Sequence, residues 1–208
     1  MLIKLYKLDP AHYFTSPGLS WDAMLKFTNV KLELLTDIDM LHFFKNSIRG
    51  GICHCSVRKA VANNKFIPEY DKTKPNLFIM YLDATNLYGH SMSQFLPISD
   101  FQWMDRKEIE CLNIKQISKD AEYGYVFEVD MEYPTHLHDN HNKLPLLAEN
   151  VYPPNSNKKK LICNLNDKKK YIIHYRNQQQ SIANGLNLIK IHGAVKIKQS
   201  NFLKPYID

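Results

Sequence analysis

Strand-like and helix-like segments alternate along the second half of the chain, and this order constrains the fold more than any other feature. YGYVFEVDM, residues 123–131, alternates apolar and polar side chains, as a half-buried strand does. RNQQQSIANG predicts a helix that ends at Gly185. Three more segments have strand character, the last with a possible hairpin turn at Gly193: KKKLICNL, KKKYIIHY and NLIKIHGAVKIKQ. Because these elements mix without the β-α-β rhythm of a parallel sheet, we predict an α+β fold of antiparallel strands and helices.

Two helices are predicted near the N-terminus. SWDAMLKFT predicts a short helix over residues 20–28. A second is expected over residues 37–49, with Thr36 as N-cap and Asp39 in a capping-box-like position. Gly50 is a natural stop for that helix.

LFIMYLD, residues 77–83, is an apolar run of strand length, and we expect a buried strand there. A helix over residues 85–94 would follow directly, with Pro97 ending it. Asp83 would then lie where a buried strand emerges at the surface.

Composition narrows the function classes. Of the 208 residues, 44 % are hydrophobic and 23 % charged, as in an ordinary globular protein. No apolar run of about 18 residues is present, so no membrane partner is expected. The four cysteines form no disulfide framework, which favours an intracellular, reducing compartment. Cys53, His54 and Cys55 have only half of a zinc-site spacing, and ordinary thiols explain them better.

Charge is uneven along the chain. Residues 140–208 contain 12 Lys or Arg against 3 Asp or Glu, whereas the first 139 residues contain 15 against 18. This asymmetry predicts either a polyanionic partner or a solvated lysine face, and charge alone does not separate the two.

Two short stretches contain residues suited to phosphate chemistry. Asp83 offers a hard oxygen ligand to Mg²⁺, and the turn after it exposes backbone amides that favour phosphate. An aspartate that simply caps a helix is the alternative. In IRGG, Arg49 offers a guanidinium fork and two glycines allow close backbone approach, although a helix C-cap with an exposed arginine explains the stretch better when it is taken alone.

IRGG followed about thirty residues later by MYLDATNLYG resembles the protein-primed family B DNA polymerases. In that family a GG-containing motif links the exonuclease and polymerase domains, and the first palm motif follows it. The longer matches resemble the polymerases of Polinton (Maverick) transposons: YFTSPGLSWDAMLK, LLTDIDMLHFFKNSIRGG, YLDATNLYGHSMSQFLP and NDKKKYIIHYRNQQQSIANGLNLIKIH. The resemblance implies DNA-directed DNA polymerase activity.

The resemblance implies a nucleotide site around the palm motif. Asp83 matches the aspartate that holds two catalytic Mg²⁺ ions, one activating the primer 3′ oxygen and one holding the pyrophosphate. Leu87 matches the position whose backbone meets the incoming triphosphate, and Tyr88 matches the tyrosine that packs against the sugar and disfavours ribonucleotides.

The resemblance also implies DNA contacts and partners. Arg49, Gly50 and Gly51 match the motif that contacts the template strand. The expected partners are template and primer DNA, deoxynucleoside triphosphates and a terminal protein that primes synthesis. A transposon-encoded enzyme would act in the nucleus.

The match implies a fragment of such an enzyme. Residues 1–50 correspond to the end of the exonuclease domain, 51–120 to the start of the palm and 121–208 to a basic insertion and continuing palm. The K-x-x-x-N-S-x-Y-G and D-T-D motifs are missing, so the chain alone is expected to be inactive. Ile48, Asn86 and Gly89 depart from the tyrosine, serine and proline of small-phage relatives.

Three other interpretations remain. The chain could be a DNA-binding remnant without catalysis. It could be a metal-dependent nuclease that uses Asp130 and Glu132 of EVDME, although these lie on the wrong side of the palm motif for the family's exonuclease. It could also be a degenerate product that does not fold.

Overall fold

The computed structural model describes residues 6–52, 55 and 57–208. Cys53 and His54, the centre of the half zinc motif, lie outside them. The chain divides into two compact units. The sheet unit consists of Met1–Ile48, Asn86–Tyr133 and Asp167–Asp208, and the hairpin unit of Arg49–Thr85 and Pro134–Asn166. Both are discontinuous, so their boundaries differ from the consecutive segments 1–50, 51–120 and 121–208.

Helices and strands are mixed, as predicted for an α+β fold. The helices are α1 (Ser16–Thr28), α2 (Ile38–Ser47), α3 (Leu87–Met92), α4 (Arg106–Cys111), α5 (His138–His141), α6 (Tyr175–Ala183) and α7 (Lys204–Ile207). Short 3-10 turns occupy Pro10–His12, Ile114–Gln116 and Thr135–Leu137. The strands are β1 (Leu96–Trp103), β2 (Tyr123–Glu132), β3 (Glu149–Val151), β4 (Lys160–Ile162), β5 (Lys168–His174) and β6 (Asn187–Ser200).

The sheet unit is built on a four-stranded antiparallel sheet in the order β1-β6-β2-β5. β2 pairs with both β6 and β5, and its buried side chains include residues on both faces of the sheet. Val126 joins Val195, Ile197, Ile172 and Met40 of α2 in one buried cluster. Phe127, the next residue, points to the other face and is fully buried, with its ring stacked on Tyr125 at 6.0 Å.

The hairpin unit holds β3 and β4, which pair antiparallel from Glu149↔Ile162 to Val151↔Lys160. Its other segment is anchored by two buried asparagines. Asn63 forms an isolated bridge with Leu77, and its side-chain Nδ2 donates to the carbonyls of Asp71 and Pro75 at 3.0 Å each. The Asn64 Nδ2 donates to the Leu77 carbonyl at 3.0 Å.

The prediction of a buried strand over residues 77–83 is wrong. Beyond the Leu77 bridge, residues 78–84 form no strand. Their apolar side chains are exposed, up to 94 % for Tyr81. A strand-like composition produces a strand only when an edge is there to pair with it, and the described residues supply none for this segment.

Three boundary predictions need correction. The N-cap of α2 is Asp37, not Thr36, because the Asp37 Oδ1 accepts from the amides of Asp39 and Met40. The helix ends at Ser47, before Gly50. Pro97 lies inside β1, next to a register shift opposite Gln199.

Gly193 is not a hairpin turn, because β6 runs unbroken through it and pairs Gly193 with Glu128. The predicted helix over residues 85–94 is confirmed in shorter form as α3. Helix α1 begins earlier than predicted. β2, β4, β5 and α6 occur where they were expected.

Candidate functional site

Asp83 lies in the exposed stretch that follows the Leu77 bridge, within the hairpin unit. Because no strand forms there, the expected rigid mount for its carboxylate is missing. Over residues 6–52, 55 and 57–208, no group of three or more His, Cys, Asp or Glu side chains is arranged to hold a metal ion. Asp83 therefore offers an oxygen ligand suited to Mg²⁺, but one carboxylate is not a two-metal site.

Leu87 and Tyr88 form the first turn of α3 in the sheet unit, with their side chains 59 % and 88 % exposed. Asn86 precedes them in a left-handed conformation (φ +50°), and its Oδ1 accepts from the Gly89 amide at 3.1 Å. The cap thus occupies one of the amides at the helix start that were expected to face phosphate.

Asn86 and Gly89 are packed against each other. A Cβ added to Gly89 would lie 2.3 Å from the Asn86 Nδ2. A Cβ at position 89 would therefore require the Asn86 side chain to move out of its capping position.

Arg49, Gly50 and Gly51 follow α2 as open backbone. Gly51 has φ +80°, a conformation that favours glycine, and a Cβ added at Gly50 or Gly51 would meet nothing within 4 Å. Ile48, at the helix C-cap, is exposed. This backbone is accessible to a ligand, as the template-contact role requires.

Asp130 and Glu132, the candidate nuclease carboxylates, already have partners within the sheet. Asp130 accepts from the Lys170 amide at 2.8 Å and pairs with His192 at 2.8 Å. The Lys170 amide, followed by His192, holds the pKa of Asp130 below its ordinary value. Glu132 accepts from the Asn187 side chain at 2.8 Å. These contacts explain both acids structurally.

The basic excess is divided between the two compact units. The hairpin unit has 10 Lys or Arg against 5 Asp or Glu, whereas the larger sheet unit has 17 against 16. Lys168, one of the lysines behind the predicted asymmetry, is buried at 1 % exposure in β5. The net charge is therefore higher on the hairpin unit, at +5 against +1, although 8 of the 12 basic residues of segment 140–208 lie in the sheet unit.

A groove in the sheet unit was not predicted. It has a volume of about 1180 Å³ and lies between the α4 region and the start of β6. Its walls combine apolar side chains such as Ile109 and Ile189 with the cations Arg106, Lys115 and Lys190. It forms where β1 stops pairing with β6 at Val195, a long-range feature without a local sequence signal.

No protein-family model, no curated protein and no solved structure matches this chain. Within the described ranges, no helix is both long and apolar enough to cross a membrane.

Proposed function

We propose that the chain is part of a DNA-directed DNA polymerase of the protein-primed family B type, in which Asp83 supplies one carboxylate to the Mg²⁺ site. Leu87 and Tyr88 would meet the nucleotide, and Arg49, Gly50 and Gly51 the template strand. The observation that carries the proposal is the exposure of Asp83, Leu87 and Tyr88, three residues at the family's spacing that the fold leaves uncovered. A leucine and a tyrosine left outside the core are available to a ligand.

Bound Mg²⁺ would supply charge stabilisation for nucleotidyl transfer. This chain would contribute two groups to the site. Asp83 would provide one oxygen ligand, and Tyr88, five residues later in sequence, would provide a flat apolar ring. A second carboxylate must come from elsewhere, so we expect no activity from the chain alone.

The test is primer extension with Mg²⁺, using the chain alone and the longest open reading frame that contains it. We expect extension only with a frame that supplies the fingers and second carboxylate motifs. Asp83→Asn should abolish that extension, whereas Glu69→Gln, an exposed acid of the same unit, should not. Tyr88→Ala should retain extension and increase ribonucleotide incorporation. Full activity in Asp83→Asn, or extension by the chain alone, would contradict the proposal.

A non-catalytic DNA-binding protein is the second candidate, and the charge of the hairpin unit favours it. It predicts DNA binding that weakens steeply with salt and is unchanged in Asp83→Asn. A locus without the missing motifs, together with such binding, would select this candidate.

A further inference from the structure

Two exposed aromatic rings of the hairpin unit each have a lysine ammonium over one face. The Lys65 Nζ lies 5.1 Å from the centre of the Phe66 ring, and the Lys159 Nζ lies 5.5 Å from the centre of the Tyr152 ring. Phe66 is 76 % exposed and Tyr152 61 %. Each ring therefore keeps much of its surface open to solvent beside a cation.

The backbone under both rings is held in place. The Phe66 amide donates to the Asn64 Oδ1 at 3.1 Å, within the loop anchored by the buried asparagines. Tyr152 directly follows β3, and Lys159 directly precedes β4. Because Val151 pairs with Lys160, the hairpin register places Tyr152 and Lys159 opposite each other. The exposure of these rings is thus built into ordered local structure.

The lysine–tyrosine pair of the sheet unit differs. The Lys196 Nζ lies 4.3 Å from the Tyr123 ring centre, but this ring is partly buried and its hydroxyl donates to Asp100 at 3.0 Å. Acids neutralise its surroundings, as in the Lys198–Glu122 pair at 3.0 Å. On the hairpin unit, by contrast, the rings are exposed and lie beside cations. That unit has twice as many basic as acidic residues.

We propose that the hairpin unit binds single-stranded DNA, with Phe66 and Tyr152 stacking on unpaired bases and Lys65 and Lys159 contacting the adjoining phosphates. Stacking on a protein ring requires a base that is free of its duplex neighbours, so the ligand is single-stranded. The choice of DNA rests on the function proposed above. The stacking itself requires neither Asp83 nor a metal ion.

Fluorescence anisotropy with a labelled oligothymidine of about 20 nucleotides tests the inference on the full chain. Phe66→Ala and Tyr152→Ala should each weaken binding by roughly 5- to 100-fold, and Tyr152→Phe should bind like wild type. Phe14→Ala is the matched control, because Phe14 is a fully exposed ring of the sheet unit. Blunt duplex DNA of the same length should bind with little change in either alanine variant.

Binding equal to wild type in both Phe66→Ala and Tyr152→Ala would overturn the inference, as would equal losses for duplex and single strands or no binding at all. Tighter binding of an RNA oligomer than of the matched DNA would overturn the choice of DNA. Circular dichroism checks that the variants fold. Stacking-dependent binding without primer extension in any frame would refute the polymerase and leave this inference standing.

Discussion

His174 gives the sharpest prediction about pH. It caps α6, accepting at Nδ1 from the Arg176 amide at 3.4 Å, and its ring lies 4.6 Å from the Tyr175 ring. Burial lowers the pKa of His174 from 6.5 to about 4, and the Arg176 charge adds to the effect. The unfolded chain therefore binds a proton near pH 6.5, whereas the folded chain does so only near pH 4.

The direction in which stability changes with pH follows from these two pKa values. A histidine kept neutral by the fold contributes its full stability above pH 6.5, and this contribution is lost progressively as the pH falls toward 4. Between pH 7.5 and pH 5, the difference between the two pKa values lowers the free energy of unfolding by about 2 kcal/mol. We expect about 1–2 kcal/mol, because the ring keeps some contact with solvent.

Urea unfolding at about pH 7.5 and about pH 5, for wild type and His174→Asn, measures this loss. Asparagine is a good N-cap that does not titrate, so the variant keeps the cap and removes the proton. All other residues are identical in the two proteins, so their contributions to the difference cancel. Wild type should lose about 1–2 kcal/mol more than His174→Asn. The control His12→Asn, at an exposed site, should behave like wild type. Equal pH dependence in wild type and His174→Asn would refute the reasoning.

Two glycine predictions test the packing. Gly124→Ala should lower the free energy of unfolding by about 1–3 kcal/mol, because its Cβ would lie 2.4 Å from the Gln199 Oε1, whereas Gly193→Ala, in the same sheet with open space, should change it by less than about 1 kcal/mol. Equal effects in urea unfolding would contradict this assignment. Gly89→Ala should speed hydrogen exchange of the α3 amides through its clash with Asn86, and adding Asn86→Gly should restore part of the protection, since glycine adopts φ +50° freely and removes the clashing side chain. Additive effects of the two substitutions would show that the positions are not coupled.

The sequence predicts those helices and strands whose own residues show a clear periodic pattern. β2 is predicted from its alternation of apolar and polar side chains, and α6 because its polar run ends at Gly185, which has φ +95°. The prediction of a hairpin turn at Gly193 is wrong because the sequence does not distinguish a glycine within a strand from a glycine in a turn. Its neighbours instead pair across a register shift in the long β2–β6 ladder.

The candidate site was only partly predictable. The spacing from Asp83 to Tyr88 identified exposed residues, but the mount of Asp83 depends on strand pairing, which is a long-range property. The lysine–ring pairs depend on the register of β3 and β4 and on the buried asparagine loop, and neither has a strong local signal. Charge counted along the chain does not assign the basic surface to one unit, because segment 140–208 contributes to both compact units.

The exposed residues 78–82 connect the folding of the chain to its proposed function. Five consecutive large apolar side chains in contact with water are unfavourable, and an exposed apolar segment of this composition is suited to strand pairing. A partner strand that covered them would also fix the backbone of Asp83, which directly follows. Under the function proposed above, a strand bearing an acid would supply both the mount of Asp83 and the second carboxylate. The stacking of single-stranded DNA proposed for the hairpin unit requires neither.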